Sequence, residues 1–427
     1  MNILLTVAFF GTVFIGIPIA FVLGLTTLIA LLFTPGVPLH LIPQRMFTGM
    51  DSFPIMAVPF FIIAGELMNA AQITDSIVEL SKLLVGRIRG SLGHVNVVAS
   101  MFFAGISGSA VADASALGTI LIPAMERTGY EKSYASAICA AAAVVGPIIP
   151  PSIPMVVLGS IANLSVGALF LGGFIPGVMI GIGLMIVHYF IARKRNYPKT
   201  KIEITFKSLA QTLLRAIIPL LMPLVILGGI LGGIFTPTEA AAVAVVYAVF
   251  AGIFVMRTLS YKQLPRIFFR GLVVTSIILF VMGTANTFSW VLATQEIPQK
   301  VASYIFSITK DPYLILFLVN ILLLIVGCVL EGTAAIILLT PILLPIAVQV
   351  GINPLHFALV VITNLMIGLL TPPLGLVLFV VCGISKLTLH EVFKEVVPFL
   401  LLEIGVLFLV TYMPWTTLYI PKLFGLV

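Results

Sequence analysis

The residues with the clearest chemical meaning sit in two short stretches of an otherwise apolar chain. GISGSAVADASALG, from Gly105 to Gly118, gathers Ser107, Ser109, Asp113 and Ser115 among glycines. Downstream, Gly146, Pro147, Pro150, Pro151, Ser152 and Pro154 fall within nine residues. Proline lacks an amide hydrogen and clashes with the turn before it, so such a cluster frees backbone carbonyls from helical bonding. Freed carbonyls and hydroxyls are hard oxygen ligands suited to Na⁺. The N-terminus of the half-helix beyond offers amides and positive dipole to an anion. A second set follows: Gly327-Cys328-Val329-Leu330-Glu331-Gly332-Thr333, then Gly368, Thr371, Pro372, Pro373 and Gly375. The chemistry implied is ion binding rather than bond cleavage.

Other reactive types do not assemble into a catalytic pattern. His40, His94, His188, His356 and His390 are scattered, with no HExxH motif and no i,i+4 pair, and no phosphate-binding Walker loop is present. Cys139, Cys328 and Cys382 share no CxxC or metal spacing and read as small packing residues. A membrane-embedded enzyme acting on a lipid would need clustered acids or histidines near an interface. The acids that do pair, Glu126 with Glu131 and Glu391 with Glu395, stand beside basic residues and read as solvated.

The elements that must position these stretches are set by composition. Of 427 residues, 60% are hydrophobic and 9% charged, against about 25% charged in soluble domains. Lipid is therefore the solvent, and the net charge of +7 reads as loop charge that orients the chain. The apolar N-terminus lacks a basic leader region and is expected to be a retained first span. Runs long enough to cross lie near 3–33, 53–72, 131–162, 166–192, 211–234, 236–256, 268–293, 355–383 and 396–420, while 91–127 and 313–350 are interrupted halfway. Arg193, Lys194, Arg195, Lys199, Lys201 and Lys207 precede two crossings, and Arg257, Lys262, Arg266 and Arg270 follow them, so both basic segments are expected on the cytoplasmic side. Alternation then predicts a cytoplasmic N-terminus and a periplasmic C-terminus, with only Arg45, Lys300, Lys310 and Lys422 facing outward.

The chain repeats itself. At a constant offset of 222 residues, Pro123, Pro150, Pro151 and Pro176 fall on Pro345, Pro372, Pro373 and Pro398, and Gly105, Gly129 and Gly146 on Gly327, Gly351 and Gly368. Each window of the repeat holds six prolines, for which chance gives about 0.5 coincidences. Five crossings separate the two copies, so they face opposite ways, the architecture of secondary transporters. In 91–127 each apolar arm is about 10 residues, or about 15 Å of helix, half the hydrocarbon thickness. A re-entrant hairpin with its polar tip in a wet or protein-lined place is expected there, and another in 313–350.

Among single polar groups, Asp113 and Glu331 mark the two tips. Glu66 is expected in a snorkelling or interhelical role, and Thr236-Pro237-Thr238-Glu239 in a capping box. Asn163, Asn286 and Asn364 are expected to hydrogen-bond between helices.

Taken together, GISGSAVADASALGTILIPAM, VVGPIIPPS, GIPIAFVLG, PFFIIAGELM and GIFTPTEAAAVA resemble the large membrane subunit (DctM-like) of tripartite ATP-independent periplasmic, or TRAP, transporters over nearly the whole chain. Overall likeness is greatest to subunits that import sialic acid. The resemblance implies an elevator-type Na⁺-coupled importer in the bacterial inner membrane. It also implies a separate small four-helix membrane subunit (DctQ-like) and a soluble periplasmic binding protein (DctP-like) that delivers an organic acid. The second tip departs from the first in lacking the serine pair.

The reading is thus an all-α polytopic membrane protein of two inverted repeats with re-entrant hairpins and broken helices. Residues 1–90 form scaffold helices of the first repeat and 91–192 its hairpin and broken helix. The basic loop and second scaffold occupy 193–312, and the second hairpin and broken helix 313–427. The expected activity is Na⁺-coupled import of sialic acid or another carboxylate with two or more coupling ions, and not an enzymatic one; a stand-alone Na⁺/dicarboxylate symporter is the alternative. The first Na⁺ site is assigned to Ser107, Ser109, Gly146, Pro147 and Pro150, and the second to Gly332, Thr333, Gly368, Thr371 and Pro372. The anion is placed near Ser109, Asp113 and Ser152, and docking on the outward loops 34–52 and 294–312.

Overall fold

The computed structural model describes residues 2–34, 37–199 and 206–426; Lys201 of the basic segment lies outside them. The described chain is helical throughout. It begins with α1 (Asn2–Phe14), α2 (Ile19–Leu32), α3 (Leu41–Met50), α4 (Ala57–Ala70) and α5 (Ile73–Val85). The first hairpin and broken helix follow as α6 (Ser91–Ser107), α7 (Ala110–Arg127), α8 (Lys132–Val144) and α9 (Ile153–Ala162). Next come α10 (Val166–Lys194), α11 (Phe206–Leu231), α12 (Pro237–Phe250) and α13 (Leu264–Thr294). The second repeat closes with α14 (Ile297–Ile308), α15 (Pro312–Gly327), α16 (Gly332–Gln349), α17 (Pro354–Gly368), α18 (Leu376–Ser385), α19 (Leu389–Tyr412) and α20 (Trp415–Leu423).

The repeat is visible helix by helix. α7 and α16 each contain 18 residues and begin 222 residues apart, as do the starts of α8 and α17. The correspondence extends outward, pairing α5 with α14, α6 with α15, α9 with α18 and α10 with α19. With the α8–α9 pair counted as one crossing beside α10, α11, α12 and α13, and α15–α16 as a returning hairpin, five crossings lie between the starts of α8 and α17, although α16 is itself long and apolar enough to cross. An odd number inverts the second copy.

Both interrupted segments fold back. Gly108, with φ +59°, ends α6, and Ser109 starts α7. Asn96 on α6 and Gly118 on α7 both reach Cys139, so the two arms run side by side against α8. In the second copy α15 and α16 both pack on α17; Gly327 and Gly332 flank the tip and abut Gly368 and Met366 respectively. The broken helices are the innermost elements. Residues 134–159 and 355–370 are buried without interruption. Pro150-Pro151 and Pro372-Pro373, the equivalent dipeptides, are both cis.

The segment 3–33 does not cross as one rod. Phe21 meets Phe280, and Gly24 faces Thr284, so α2 runs parallel to α13. Phe9 stacks on Phe288, further along that direction, with ring centroids 5.7 Å apart. A straight helix would carry Phe9 the opposite way. α1 therefore doubles back along α2 around Gly16-Ile17-Pro18, whose Gly16 has φ +84°. Both ends of this segment lie on one side, so the alternation used to place the N-terminus no longer follows from a single crossing. The physical cause is local: a proline after a left-handed glycine ends one helix and starts another inside an unbroken apolar run.

Of the other expected spans, 53–72, 166–192, 211–234, 236–256 and 268–293 are helices long and apolar enough to cross, 131–162 and 355–383 are broken at their prolines, and 396–420 bends by 59° from α19 into α20. Thr236 and Glu239 make the expected capping box. Asn286 donates to the Arg45 carbonyl at 2.8 Å, and Asn364 to Asn320 Oδ1 at 2.7 Å, both between helices. Asn163 differs. It closes α9 in a left-handed conformation with φ 53°, a local role open to asparagine because its short polar side chain tolerates that region.

Candidate functional site

The first tip and the first break are built into one another. Ser109 caps α7 by accepting from Ala112 N, and its own amide donates to Ser107 Oγ at 3.2 Å. The Ser107 hydroxyl donates to Asp113 Oδ1. Asp113 is fully buried, and its second oxygen, Oδ2, has no hydrogen-bond partner. That oxygen lies against Gly146, where any side chain would overlap it. Beyond the break, Ser152 donates to the Pro147 carbonyl and accepts from Met155 N at 3.3 Å, capping α9. A Cβ on Gly108 would sit 3.0 Å from the Pro151 carbonyl, so only glycine lets the tip approach the break this closely.

The second tip repeats the plan with different chemistry. Glu331, 222 residues from Ser109, caps α16: Oε2 accepts from Ala334 N and Oε1 from the Thr333 hydroxyl, both at 2.9 Å. Leu374 N donates to the Cys328 carbonyl at 3.1 Å, tying the break to the tip. Gly327 and Gly368 touch backbone to backbone. Thr371 follows Gly368 in a tight turn, its amide donating to the Gly368 carbonyl at 2.9 Å. The first break is buried and Ser109 at its tip half-buried, whereas Val329, Glu331, Pro373 and Leu374 at the second are exposed.

The repeats interlock. α7 packs on α18, with Gly118 against Ile384, and α9 packs on α16, so each hairpin meets the post-proline half-helix of the other copy. Ser107, Asp113 and Gly146 are brought into contact, and Pro150 offers its carbonyl beside Gly105. Gly332, Thr333, Gly368 and Thr371 gather at the second tip.

Sequence reasoning missed several groups. His94 and His188, read as scattered, meet edge to face at 4.7 Å. His188 Nε2 donates to the Gly90 carbonyl and Nδ1 accepts from the Tyr134 hydroxyl, each at 2.7 Å. Arg195 pairs with both Glu131 and Glu395 at 2.8 Å, joining the two repeats; Glu131 is solvated as expected, whereas Glu395 is largely covered. Asn320 links Asn364 to Thr411. Its signal was present, an amide alone in the apolar run PYLILFLVNILLLIVG. Among the described residues no His, Cys, Asp and Glu cluster has the makings of a transition-metal site.

The comparisons agree with this architecture. In solved structures, the YdaH transporter of Alcanivorax borkumensis matches with a TM-score of 0.65 at 14% identity, covering 93% of this chain and 96% of that one. MtrF of Neisseria gonorrhoeae matches with 0.56 at 12%, covering 92% of each. These show the fold. Sequence relatives are nearer. The sialic acid TRAP transporter large permease protein SiaM of Vibrio cholerae is 42% identical over 97% of both chains. The C4-dicarboxylate TRAP transporter large permease protein DctM of Pseudomonas aeruginosa is 37% identical over 95% of this chain and 94% of its own. The sialic acid TRAP transporter permease protein SiaT of Haemophilus influenzae is 38% identical over 96% of this chain, which spans 66% of it. The family described as the tripartite ATP-independent periplasmic transporter, DctM component, matches residues 6–416. The chain is accordingly a member of the DctM family, a large membrane permease of TRAP transporters and not an enzyme.

Proposed function

We propose that this permease imports an organic acid, sialic acid foremost, by coupling to Na⁺ at two matched sites. The observation that carries the reading is Asp113 Oδ2, a buried acidic oxygen without a donor, set against Gly146 in a break with freed carbonyls. A hard monovalent cation is the partner such an oxygen lacks. The first site comprises Ser107, Ser109, Gly146, Pro147 and Pro150, with Asp113 serving the cation rather than the anion, since its carboxylate would repel a second negative group. The second comprises Gly332, Thr333, Gly368, Thr371 and Pro372. The anion is assigned to the neighbourhood of Ser109 and Ser152, where α7 and α9 begin.

The same reading makes 91–192 and 313–427 a body that slides on a scaffold formed by 1–90 and 193–312. Small residues line the seam in support of it: Gly65 backs onto Ser107, Gly105 onto Pro223 and Gly167 onto Ile230. A DctQ-like small subunit and a DctP-like binding protein complete the system. The length of SiaT beyond the part matched here supports the first. The basic residues of 193–207 and 257–270 support a cytoplasmic position for both segments in a bacterial cell. The test is uptake into proteoliposomes carrying the permease and small subunit, with binding protein outside, an inward Na⁺ gradient and no ATP. Uptake is expected only with all components. Equal uptake by the permease alone would favour a stand-alone Na⁺/dicarboxylate symporter.

A further inference from the structure

Glu403 stands in the middle of α19, in the run PFLLLEIGVLF. Its exposure is 0%, and neither carboxyl oxygen has a hydrogen-bond partner. α8, α10, α17 and α18 pack around α19, and α15 touches it through Phe317 on Phe408 and Asn320 on Thr411, its own titratable Asp311 and Tyr313 being exposed. Their titratable groups are occupied elsewhere or distant. Lys132 pairs with Glu126, Tyr134 with His188, and His356 with Thr411 and Thr417, while Cys139 lies against Gly118. Cys382 of α18 is an uncharged thiol, and Tyr189, Arg193 and Lys194 of α10 are exposed. On α19 itself, Lys394 and Glu395 lie two turns nearer the surface, the latter held by Arg195. Among the described residues no hydrogen-bond donor and no ion pair reaches the Glu403 carboxyl.

A carboxylate without donors or counter-ion cannot be kept charged at such depth, whereas the acid form loses only the hydration of a neutral group. α17 also carries a buried acceptor without a donor, Asn364 Oδ1. The acid form offers one donor, while the carboxylate offers only acceptors. We propose that Glu403 is a proton-binding site, a resident neutral carboxylic acid in the core shared by both repeats, separate from every position assigned to Na⁺ or substrate. The inference goes beyond the transport reading and does not depend on it.

The experiment is infrared spectroscopy of the full chain in lipid nanodiscs at neutral pH, with glutamate carboxyls labelled by carbon-13. A protonated-acid carbonyl band is expected that shifts in deuterium oxide and is lost in Glu403→Gln. The glutamine variant, neutral and of the same shape, should purify as a folded chain with uptake within about twofold of the parent, as the one-for-one exchange of uncharged groups implies. Glu403→Lys should not accumulate. No protonated glutamate band at neutral pH, or a band that survives in Glu403→Gln, overturns the proposal. So does a failure of both Glu403→Gln and Glu403→Met to fold, because a site that holds a neutral acid must accept a neutral replacement. Loss of Na⁺ dependence in the parent would count against the transport reading and leave this band untouched.

Discussion

Ser109 and Glu331 stand at the same point of the two repeats, each accepting a hydrogen bond from the backbone amide three residues on. One cap is neutral and the other acidic. Each tip thus carries one carboxylate, but at different positions, Asp113 inside the first hairpin and Glu331 at the cap of the second, and the two proposed cation sites should differ in affinity.

Exchanging the caps tests this. Glu331→Ser should keep the helix start and its thermal stability, while Glu331→Ala loses about 1 kcal/mol, the usual worth of an N-cap. The serine variant is expected to change the Na⁺ concentration for half-maximal uptake. Ser109→Ala and Thr371→Ala should weaken Na⁺ dependence with expression intact, and unaltered Na⁺ titrations would remove those residues from the sites.

Two glycines should tolerate no side chain. Gly146→Ala drives a methyl into Asp113 Oδ2, and Gly368→Ala into the Gly327 backbone. Each should cost about 1–3 kcal/mol, the range for overpacking. Gly383→Ala, which meets nothing within 4 Å, is the control. Thermal unfolding followed by size-exclusion chromatography reads the difference, and equal midpoints for all three would refute the packing described.

Ser52 and Ser160 hydrogen-bond at 3.1 Å across the seam between the proposed scaffold and sliding body. In a background lacking Cys139, Cys328 and Cys382, paired cysteines at these positions should cross-link under oxidation and stop uptake until reductant is added. Full uptake by the cross-linked protein would show that this seam does not slide.

His188 holds the start of the first hairpin to α8 through Gly90 and Tyr134. Replacing it by phenylalanine leaves the Tyr134 hydroxyl buried and unpaired, at about 1–3 kcal/mol, whereas the Gly90 carbonyl keeps the Gly93 amide at 3.1 Å. Tyr134→Phe should cost less. In the double variant the penalties should fall short of their sum, since both remove one shared bond. Additive penalties would mean the bond carries no coupling.

Much of this was legible because proline and glycine act locally. The breaks at Pro147–Pro151 and Thr371–Gly375, the tips at Gly108 and Gly332, and the capping box at Thr236 all follow from backbone chemistry that needs no tertiary partner. Where packing decides, the sequence was mute or misleading. The reversal at Gly16-Ile17-Pro18 sits in a run apolar enough for one span, and only the neighbours of Phe9 and Phe21 reveal it. His94 and His188 are far apart in sequence, so their meeting depends on how α6 and α10 cross. Glu403 was readable as a lone acid in an apolar helix, yet nothing local told whether it would find a partner.

The doubled-back N-terminal segment has a consequence for the surrounding lipid. Each arm is 13 or 14 residues, about 20 Å of helix, against a hydrocarbon layer of about 30 Å. Phe14, Ile15 and Gly16 at the bend are exposed, and a peptide reversal with free carbonyls is not stable facing acyl chains. Beneath that bend the bilayer must either pinch inward to bring headgroups up to the loop or be displaced by a neighbouring protein, which makes this flank a defect in the membrane that the assembled complex has to seal.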